Sequence, residues 1–364
     1  LIRHPGFDPF NSGFNIRVFM KRSLVDHDTE SFRTELQSAG FSGAHAPPVL
    51  RSFYSSGTLE RLPEQIGPRV ANWLREHQPL PATRLLSRHQ SSDGTVKLLL
   101  ALRGEKTIEA VLMPAHRPGR AAGCVSSQVG CAMGCTFCAS TRGGLDRSLR
   151  YTEIVEQFLH LKREAAQMDR RLTSLVFMGM GEPMHNLENV IAAIRRIADP
   201  DLGGLGWRQI TVSTVGIVPG IDALADADLN VHLALSLHAA DDETRSLIVP
   251  LNHRYPVADI MAAARRFADR TRRVPTIEYC MLADINDSPA HADRLAQLMT
   301  GFRAHVNLIP YNTIPGATYR APNSQTVSVF LNLLREAKVV VHVRETRGDP
   351  INAACGQLRQ LQTV

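Results

Sequence analysis

The spacing of apolar and polar positions changes character along this chain. Over residues 24–90 it is helical, and Ser31-Phe-Arg-Thr-Glu-Leu36 and residues 66–77 place apolar side chains at i, i+3 and i+4. Prolines at 47, 48, 63, 68, 79 and 81 keep these segments short. After the turn signal Ser92-Asp93-Gly94, two β-rich runs at 96–102 and 107–113 predict a hairpin across Arg103-Gly104-Glu105-Lys106. Beyond Gly123, strand-like runs at 175–178, 210–213, 232–236, 276–281, 305–309 and 339–343 alternate with amphipathic helical stretches at 152–167, 187–198, 257–270, 289–300 and 324–337. Such regular alternation predicts parallel β/α units, with function gathered at the C-terminal ends of the strands. The expected architecture is α/β, a partial (β/α)6 barrel with a small N-terminal helical accessory domain. Its divisions are a tail (1–23), the helical domain (24–91), a β-hairpin extension (92–120), the barrel (121–345) and a C-terminal segment (346–364).

Composition narrows the functional classes. The chain of 364 residues is long enough to bury a barrel core. Its formal net charge of +6 favours a polyanionic partner, and the N-terminal helices are equally open to a packing role or to gripping RNA. Four of the six cysteines crowd between Cys124 and Cys138, which is no framework for a secreted disulfide protein of this size, so they read as reduced thiols. There is no apolar run of roughly 18 residues and no signal-peptide pattern, so the expectation is a cytoplasmic protein away from membranes.

The candidate chemistry centres on Cys131-Ala-Met-Gly-Cys135-Thr-Phe-Cys138. Three thiols spaced C-x3-C-x2-C can converge on one metal centre and leave it a ligand short, whereas structural zinc sites and ordinary electron-transfer clusters are closed by four protein ligands. A zinc loop completed by His160 or His185 is the alternative. Strand ends downstream carry Met178-Gly-Met-Gly-Glu-Pro183, Ser213-Thr-Val-Gly216, Ser236-Leu-His238 and the residues from Asn307 to Asn312, groups suited to a polar cofactor pocket. Glu109 stands between Ile108 and Ala110 in a strand, where an acid is ordinarily the solvent-facing member of an alternation. Cys124 and Cys355 are open to two readings, small buried hydrophobes or working thiols, and Cys280 reads as the former.

C-x3-C-x2-C with an aromatic before its last cysteine, here Phe137, resembles the radical SAM enzymes. Together with Gly123-Cys-Val-Ser-Ser-Gln-Val-Gly-Cys131, Gly143-Gly-Leu-Asp-Arg-Ser-Leu149, Gly179-Met-Gly-Glu-Pro183, Ser236-Leu-His238, Asn307-Leu-Ile-Pro310 and Ala353-Ala-Cys-Gly-Gln-Leu358, the chain resembles the RlmN/Cfr family of radical SAM RNA methyltransferases from about residue 92 to 358. Gly143-Gly-Leu145 and Thr346-Arg-Gly348 look more like RlmN, and Asn252-His-Arg-Tyr-Pro256 shares features with Cfr. The match is loose before residue 90, with Phe53 where tryptophan is usual. It also departs at Pro350 and at Asn352, where the family usually has aspartate.

The resemblance implies a radical SAM barrel that methylates C2 of adenine, at adenine 2503 of 23S rRNA and adenine 37 of some tRNAs. A Cfr-like enzyme acting at C8, or a paralogue with another RNA, is the alternative within the class. A non-catalytic metal-binding RNA-associated protein is the alternative outside it. Adenine C2 is electron-poor, so direct polar methyl transfer fails there and a radical route is required. By the same resemblance, Cys131, Cys135 and Cys138 hold a [4Fe-4S] cluster. Gly181, Glu182, Ser213, Ser236, Leu237, His238 and Asn312 contact S-adenosylmethionine. Cys355 becomes an S-methylcysteine, Glu109 accepts the ring proton, and Cys124 resolves the covalent adduct through a transient disulfide with Cys355. Two molecules of S-adenosylmethionine are consumed, an electron donor such as flavodoxin or ferredoxin is needed, and the protein is expected to act as a monomer.

Overall fold

The computed structural model describes residues 23–60, 62–77 and 81–358. Residues 1–22 of the expected tail and the last six of the C-terminal segment lie outside them. Among the described residues, twelve strands follow in chain order: β1 (Thr83–Gln90), β2 (Val96–Leu102), β3 (Thr107–Pro114), β4 (Arg120–Cys124), β5 (Gln128–Gly130), β6 (Leu145–Ser148), β7 (Arg171–Phe177), β8 (Ile210–Thr214), β9 (His232–Ser236), β10 (Thr276–Met281), β11 (His305–Pro310) and β12 (Val340–Val343). Ten form one sheet in the order β1-β2-β3-β4-β7-β8-β9-β10-β11-β12, and β5 and β6 make a small separate pair.

From β4 to β12 every pairing in the large sheet is parallel, and each step is bridged by a helix: Tyr151–Gln167, Leu187–Ala198, Val218–Asp226, Val257–Thr271, Pro289–Met299 and Ser324–Glu336. These are six β/α units ending on a seventh parallel strand. The strand runs read from sequence recur within a few residues, because parallel strands buried on both faces are nearly continuous apolar runs. β4 escaped that reading because Arg-Ala-Ala-Gly-Cys is short and built of small residues.

β1, β2 and β3 continue the sheet as an antiparallel meander, with the expected hairpin joining β2 to β3. One expectation is corrected here. The helical pattern over residues 24–90 predicts helix at 83–90, yet these residues form β1, paired with β2 on both sides of a bulge between Leu85 and Ser87. The strand is largely exposed and shows no clean alternation, so its state is set by the neighbouring strand rather than its own pattern. A buried carboxylate fixes its start: Glu156, on the helix Tyr151–Gln167, accepts from Ala82 N at 2.9 Å and from Thr83 N and Oγ1 at 2.6 and 2.7 Å.

β1 and β12 lie at opposite edges of the sheet, and the C-terminal segment spans the gap. Arg347 donates to Pro114 O, Gly348 N donates to Asp93 Oδ2 at 2.9 Å, and Lys97 Nζ donates to Asn352 O at 3.2 Å. The departures at 350 and 352 find their reason here. Pro350 sits in the first turn of a 3-10 helix (Asp349–Ile351), where its missing N–H is no loss. Asn352 follows in the left-handed region with φ 51°, a conformation asparagine tolerates better than most residues. This closure carries Cys355 across the barrel mouth.

Arg245 ties the C-terminal ends of two strands together. Fully buried, it donates to Leu237 O at 3.0 Å, Val215 O at 2.6 Å and Asn252 Oδ1 at 2.9 Å. Burial lowers its pKa to about 10, so it still carries charge at neutral pH. Arg245→Met leaves several buried acceptors unpaired, and denaturant titration is expected to show a loss of roughly 3 kcal/mol or more. A change below 1 kcal/mol would contradict this role.

Candidate active site

Two cavities meet at the C-terminal ends of the strands. The inner one, of about 160 Å³, is lined by the three loop thiols, Glu182, His238 and Glu278, among others. The outer one, of about 560 Å³, is lined by Val111, Cys124, Asn312 and Thr346, among others. Cys355, Met178, Ile309 and Arg344 belong to both. Cys355 therefore stands at the junction.

The thiol loop is held by its own backbone. Gly130, at φ 75°, has no room for a side chain, since a Cβ there would lie 2.0 Å from Gly144 O, and this packing brings Cys131 N to the same carbonyl at 3.0 Å. Thr141 Oγ1 donates to the carbonyls of Cys135 and Cys138 at 3.1 and 2.9 Å. Burial raises all three thiol pKa values, that of Cys131 to about 12, and like-charge repulsion adds to each rise, from Cys138 at Cys131, from Cys138 and Cys131 at Cys135, and from Cys355 at Cys138. Soft donors placed this way need a cation to become thiolates, which suits an iron centre. Neither histidine considered as a fourth ligand lines the cavity: His160 Nε2 pairs with Thr83 Oγ1 at 3.1 Å and His185 Nδ1 with Gln128 Nε2 at 3.1 Å.

Beside the thiols, the inner cavity offers polar groups that suit an aminoacyl nucleoside. Gly181, at φ 98°, lets the backbone pack against Gln128, where a Cβ would approach to 2.5 Å. The next residue, Glu182, is buried and accepts from Met184 N at 3.0 Å and Val215 N at 2.9 Å. Burial pushes its carboxyl up to about 6 despite those two N–H donors. Ser213 Oγ and Ser236 Oγ lie 3.4 Å apart at the ends of β8 and β9. His238 takes a left-handed backbone (φ 61°), sits edge-on to Phe137 at 4.8 Å, and accepts from Cys280 N at Nδ1, leaving its proton on Nε2. Burial and Arg245 hold it neutral, with a pKa near 3. Glu278 was not singled out from sequence. It accepts from Asn307 Nδ2 at 3.1 Å through one oxygen, while its buried Oε2 has no partner. An orphaned carboxylate oxygen in a cavity awaits a ligand donor.

Glu182 carries a pH prediction. Its folded pKa lies above its ordinary value of 4.5, so its contribution favours folding at low pH and is lost as pH rises through about 6. In the cofactor-free protein, the stability of Glu182→Gln relative to wild type should rise by about 2 kcal/mol between pH 4.5 and 7. Denaturant titrations at both pH values that show no such divergence would rule this out.

Two residues expected at the cofactor sit differently. Leu237 does not line the inner cavity: its side chain is wholly buried, its N–H donates to Glu278 O at 3.0 Å, and its carbonyl is held by Arg245. Asn312 lies in the outer cavity, where Nδ2 donates to Cys355 O at 3.1 Å and Oδ1 accepts from Thr346 Oγ1 at 2.9 Å. Cys280 is buried as expected, and it also lines the inner cavity.

Cys124 and Cys355 converge on the outer cavity, and Glu109 lies on the strand β3 that lines it through Val111 and Met113. Cys124 ends β4 opposite Val111 and Val176, and packs with Met180, Ala353 and Leu358. Burial and the neighbouring Cys355 push its thiol up to about 12. Arg344 is the local cation, its pKa raised by Cys355 first and then by Glu278 and Cys124. The segment bearing Cys355 is pinned to the thiol loop by Ala139 N to Gly356 O and Ser140 Oγ to Leu358 O, both 2.7 Å. Glu109 is not the solvent-facing acid that alternation suggests. It is 3% exposed, shares a strand face with Val111 and Met113, and pairs with buried Lys97 at 3.0 Å. Lys97, Glu278 and Arg344 gave no motif, and a lone charge inside an apolar run was their only signal.

A β/α barrel with three soft thiols beside a polar cavity at its strand ends defines a radical SAM enzyme, and the Radical SAM superfamily pattern matches residues 125–296. A crystal structure of a radical SAM methyltransferase from Sphaerobacter thermophilus superposes with a TM-score of 0.86 at 39% identity, covering 93% of this chain and 99% of that one. A protein from Opitutus terrae named Probable dual-specificity RNA methyltransferase RlmN 1 is 47% identical over 93% of this chain and 97% of its own length. The Dual-specificity RNA methyltransferase RlmN of Syntrophobacter fumaroxidans is 46% identical over 77% of this chain and 80% of its own. The chain belongs to the RlmN family of S-adenosylmethionine-dependent radical SAM RNA methyltransferases. That family implies a [4Fe-4S] cluster and S-adenosylmethionine, and the thiol loop, Glu182 and the unpartnered oxygen of Glu278 fit them. No helix among the described residues is long and apolar enough to cross a membrane.

Proposed function

We propose that this protein methylates C2 of adenine in 23S rRNA and in the anticodon loop of some tRNAs, with Cys355 as the methyl carrier. The observation that carries this reading is the position of Cys355 between the cofactor cavity and an open cavity that also contains Cys124. A group that must first take a methyl from a bound cofactor and then deliver it to a large substrate belongs at such a junction. Cys131, Cys135 and Cys138 would hold the cluster, with Gly181, Glu182, Ser213, Ser236 and His238 around S-adenosylmethionine and Leu237 and Asn312 contributing as the resemblance implies. When bound, the cluster and a second S-adenosylmethionine supply the hydrogen-abstracting radical that activates the methyl group on Cys355.

The protein's own residues do the rest. Asn312 holds the Cys355 carbonyl and so aims its sulfur. Arg344 is the cation beside the Cys355 sulfur that takes the first methyl group. Once the methylene carbon is bonded to the ring, the adduct radical would return one electron to the cluster, and Glu109 accepts the ring proton. Cys124 then loses its proton and attacks the Cys355 sulfur, the carbon–sulfur bond breaks with its electron pair left on the methylene carbon, that carbon takes up a proton to become the methyl group, and a disulfide forms as the methylated base leaves. Cys124 and Cys355 are not joined by a disulfide in the structure, as the start of such a cycle requires. The outer cavity opens to solvent, and an adenine splayed from its stack would enter there. An acidic electron donor of the flavodoxin or ferredoxin kind, a monomeric enzyme and two S-adenosylmethionines per methyl group complete the reading.

The test is anaerobic reconstitution with iron and sulfide, followed by incubation with unmodified 23S rRNA or tRNA, S-adenosylmethionine and reductant, then mass spectrometry of nucleosides. Formation of 2-methyladenosine supports the proposal. Finding 8-methyladenosine, or no methylated adenosine despite cofactor cleavage, overturns it.

A further inference from the structure

Lys97 is the second residue of β2, an otherwise apolar strand, and is almost wholly buried. It pairs across the sheet with Val111, which in turn faces Cys124, so Lys97, Val111 and Cys124 form a row on one face. The ammonium meets two groups there. One is Glu109 Oε1 at 3.0 Å, and the other is the carbonyl of Asn352 at 3.2 Å, three residues before Cys355. Among the described residues Glu109 is the only carboxylate in ion-pair range of Lys97.

A buried ammonium keeps its charge only while a counter-charge and hydrogen bonds compensate its lost hydration. Here the counter-charge is the proton acceptor and one of the hydrogen bonds goes to the segment that carries the methyl. The turn that leads into β2 grips the same segment: Asp93 holds Gly348 N, and a Cβ on Gly348 would lie 2.8 Å from Thr95. Asn352, at φ 51°, ends the 3-10 turn in the left-handed region, so its carbonyl faces β2 at a bend of the segment.

We infer that Lys97 is a positioning residue that couples the charge of Glu109 to the position of the Cys355 segment, so that disulfide resolution follows proton removal. The inference rests on the role proposed for Glu109. While Glu109 is ionised, Lys97 bridges it to Asn352 and holds Cys355 in place for attack on the base. When the ring carbon gives its proton to a Glu109 oxygen, the bonding pair stays with the base adduct and the carboxyl becomes neutral. Lys97 then lacks a counter-charge, turns toward solvent and releases Asn352, and the freed segment brings Cys355 to Cys124.

Glu109→Gln mimics the protonated acid with little change of shape. In the reconstituted protein, amide exchange over residues 348–356 and alkylation of Cys355 by iodoacetamide should rise about tenfold, the factor that goes with losing one charge-assisted hydrogen bond. Lys97→Met should give the same rise, adding Glu109→Gln to it should change nothing further, and Lys97→Arg should return both readouts towards wild type. Thermal melts confirm that each variant is folded. If folded Glu109→Gln exchanges and alkylates as wild type does, or if the two substitutions act additively, the coupling is wrong. Nucleoside analysis separates the two levels. A Glu109→Gln enzyme that still turns over at the wild-type rate removes the proton-acceptor role itself, whereas lost turnover with an unchanged segment removes only the coupling.

Discussion

Cys355→Ala is expected to abolish RNA methylation, lowering product by roughly 10⁴-fold or more, the scale on which removal of a covalent nucleophile acts. The reason is geometric. Cys355 is shared by the cavity lined by the cluster thiols and the cavity lined by Cys124, and no other described cysteine lines both. A methyl group taken up in the inner cavity has no second sulfur to carry it outward. The variant should remain folded, because its backbone carbonyl still accepts from Asn312 and the flanking Gly356 and Leu358 carbonyls still receive Ala139 N and Ser140 Oγ. It should also keep its iron and its ability to cleave S-adenosylmethionine, since Cys131, Cys135 and Cys138 are untouched. Intact-protein mass spectrometry after incubation with S-adenosylmethionine should show one added methyl on wild type and none on the variant. Residual methylation of RNA by Cys355→Ala at even a few percent of wild type would require a direct transfer that this geometry does not provide.

Much of this site was legible before any coordinates, because its cofactor-binding part is local. The thiol spacing, the glycines at 179 and 181 and the Ser-Leu-His turn each sit within a few residues and so show as local motifs, although Gly181 packs against Gln128 and the Ser-Leu-His turn is tied to Glu278. The parallel strands were equally legible, since burial on both faces leaves an unbroken apolar run. What stayed hidden depends on contacts far apart in sequence. Glu109 looked like a surface acid because its partner Lys97 is on another strand, and the carbonyl to which Lys97 also donates is at 352. Glu278 and Arg344 looked like isolated charges, and their meaning lies in the cavity where β10 and the end of β12 converge with Cys355. β1 was misread because its polar sequence carries no strand signal and its pairing with β2 decides its state. The small-residue β4 and the short helices Val218–Asp226 and Asp242–Ile248 went unread, although Asp241 caps the latter through Thr244 N at 2.8 Å. Local chemistry shows in a single sequence, whereas the charge network that times the chemistry needs the fold.

Cys124→Ala is expected to produce the opposite phenotype: the first methyl group is taken up normally, the base is attacked, and the protein stays joined to RNA. Cys124 plays no part in holding the cofactor cavity, which it does not line. It contributes a buried thiol beside Val111 and Ala353, and its removal leaves a void the size of one sulfur, costing about 1 kcal/mol of stability. Its high thiol pKa, near 12, makes it a poor nucleophile until the surroundings change. Arg344 is the nearby cation that lowers it, and the same guanidinium is held most strongly by Cys355. Attack on Cys355 becomes productive only once that sulfur is alkylated, because a thiolate attacking a free thiol has no leaving group and a disulfide would then need an outside oxidant. Denaturing gel analysis of Cys124→Ala with labelled RNA should show a retarded covalent species close to one per enzyme, with Cys355 as the cross-linked residue by peptide mass spectrometry. Free methylated RNA formed over many turnovers by Cys124→Ala would mean that another group breaks the carbon–sulfur bond, and the outer cavity would have to be reassigned as a substrate pocket alone.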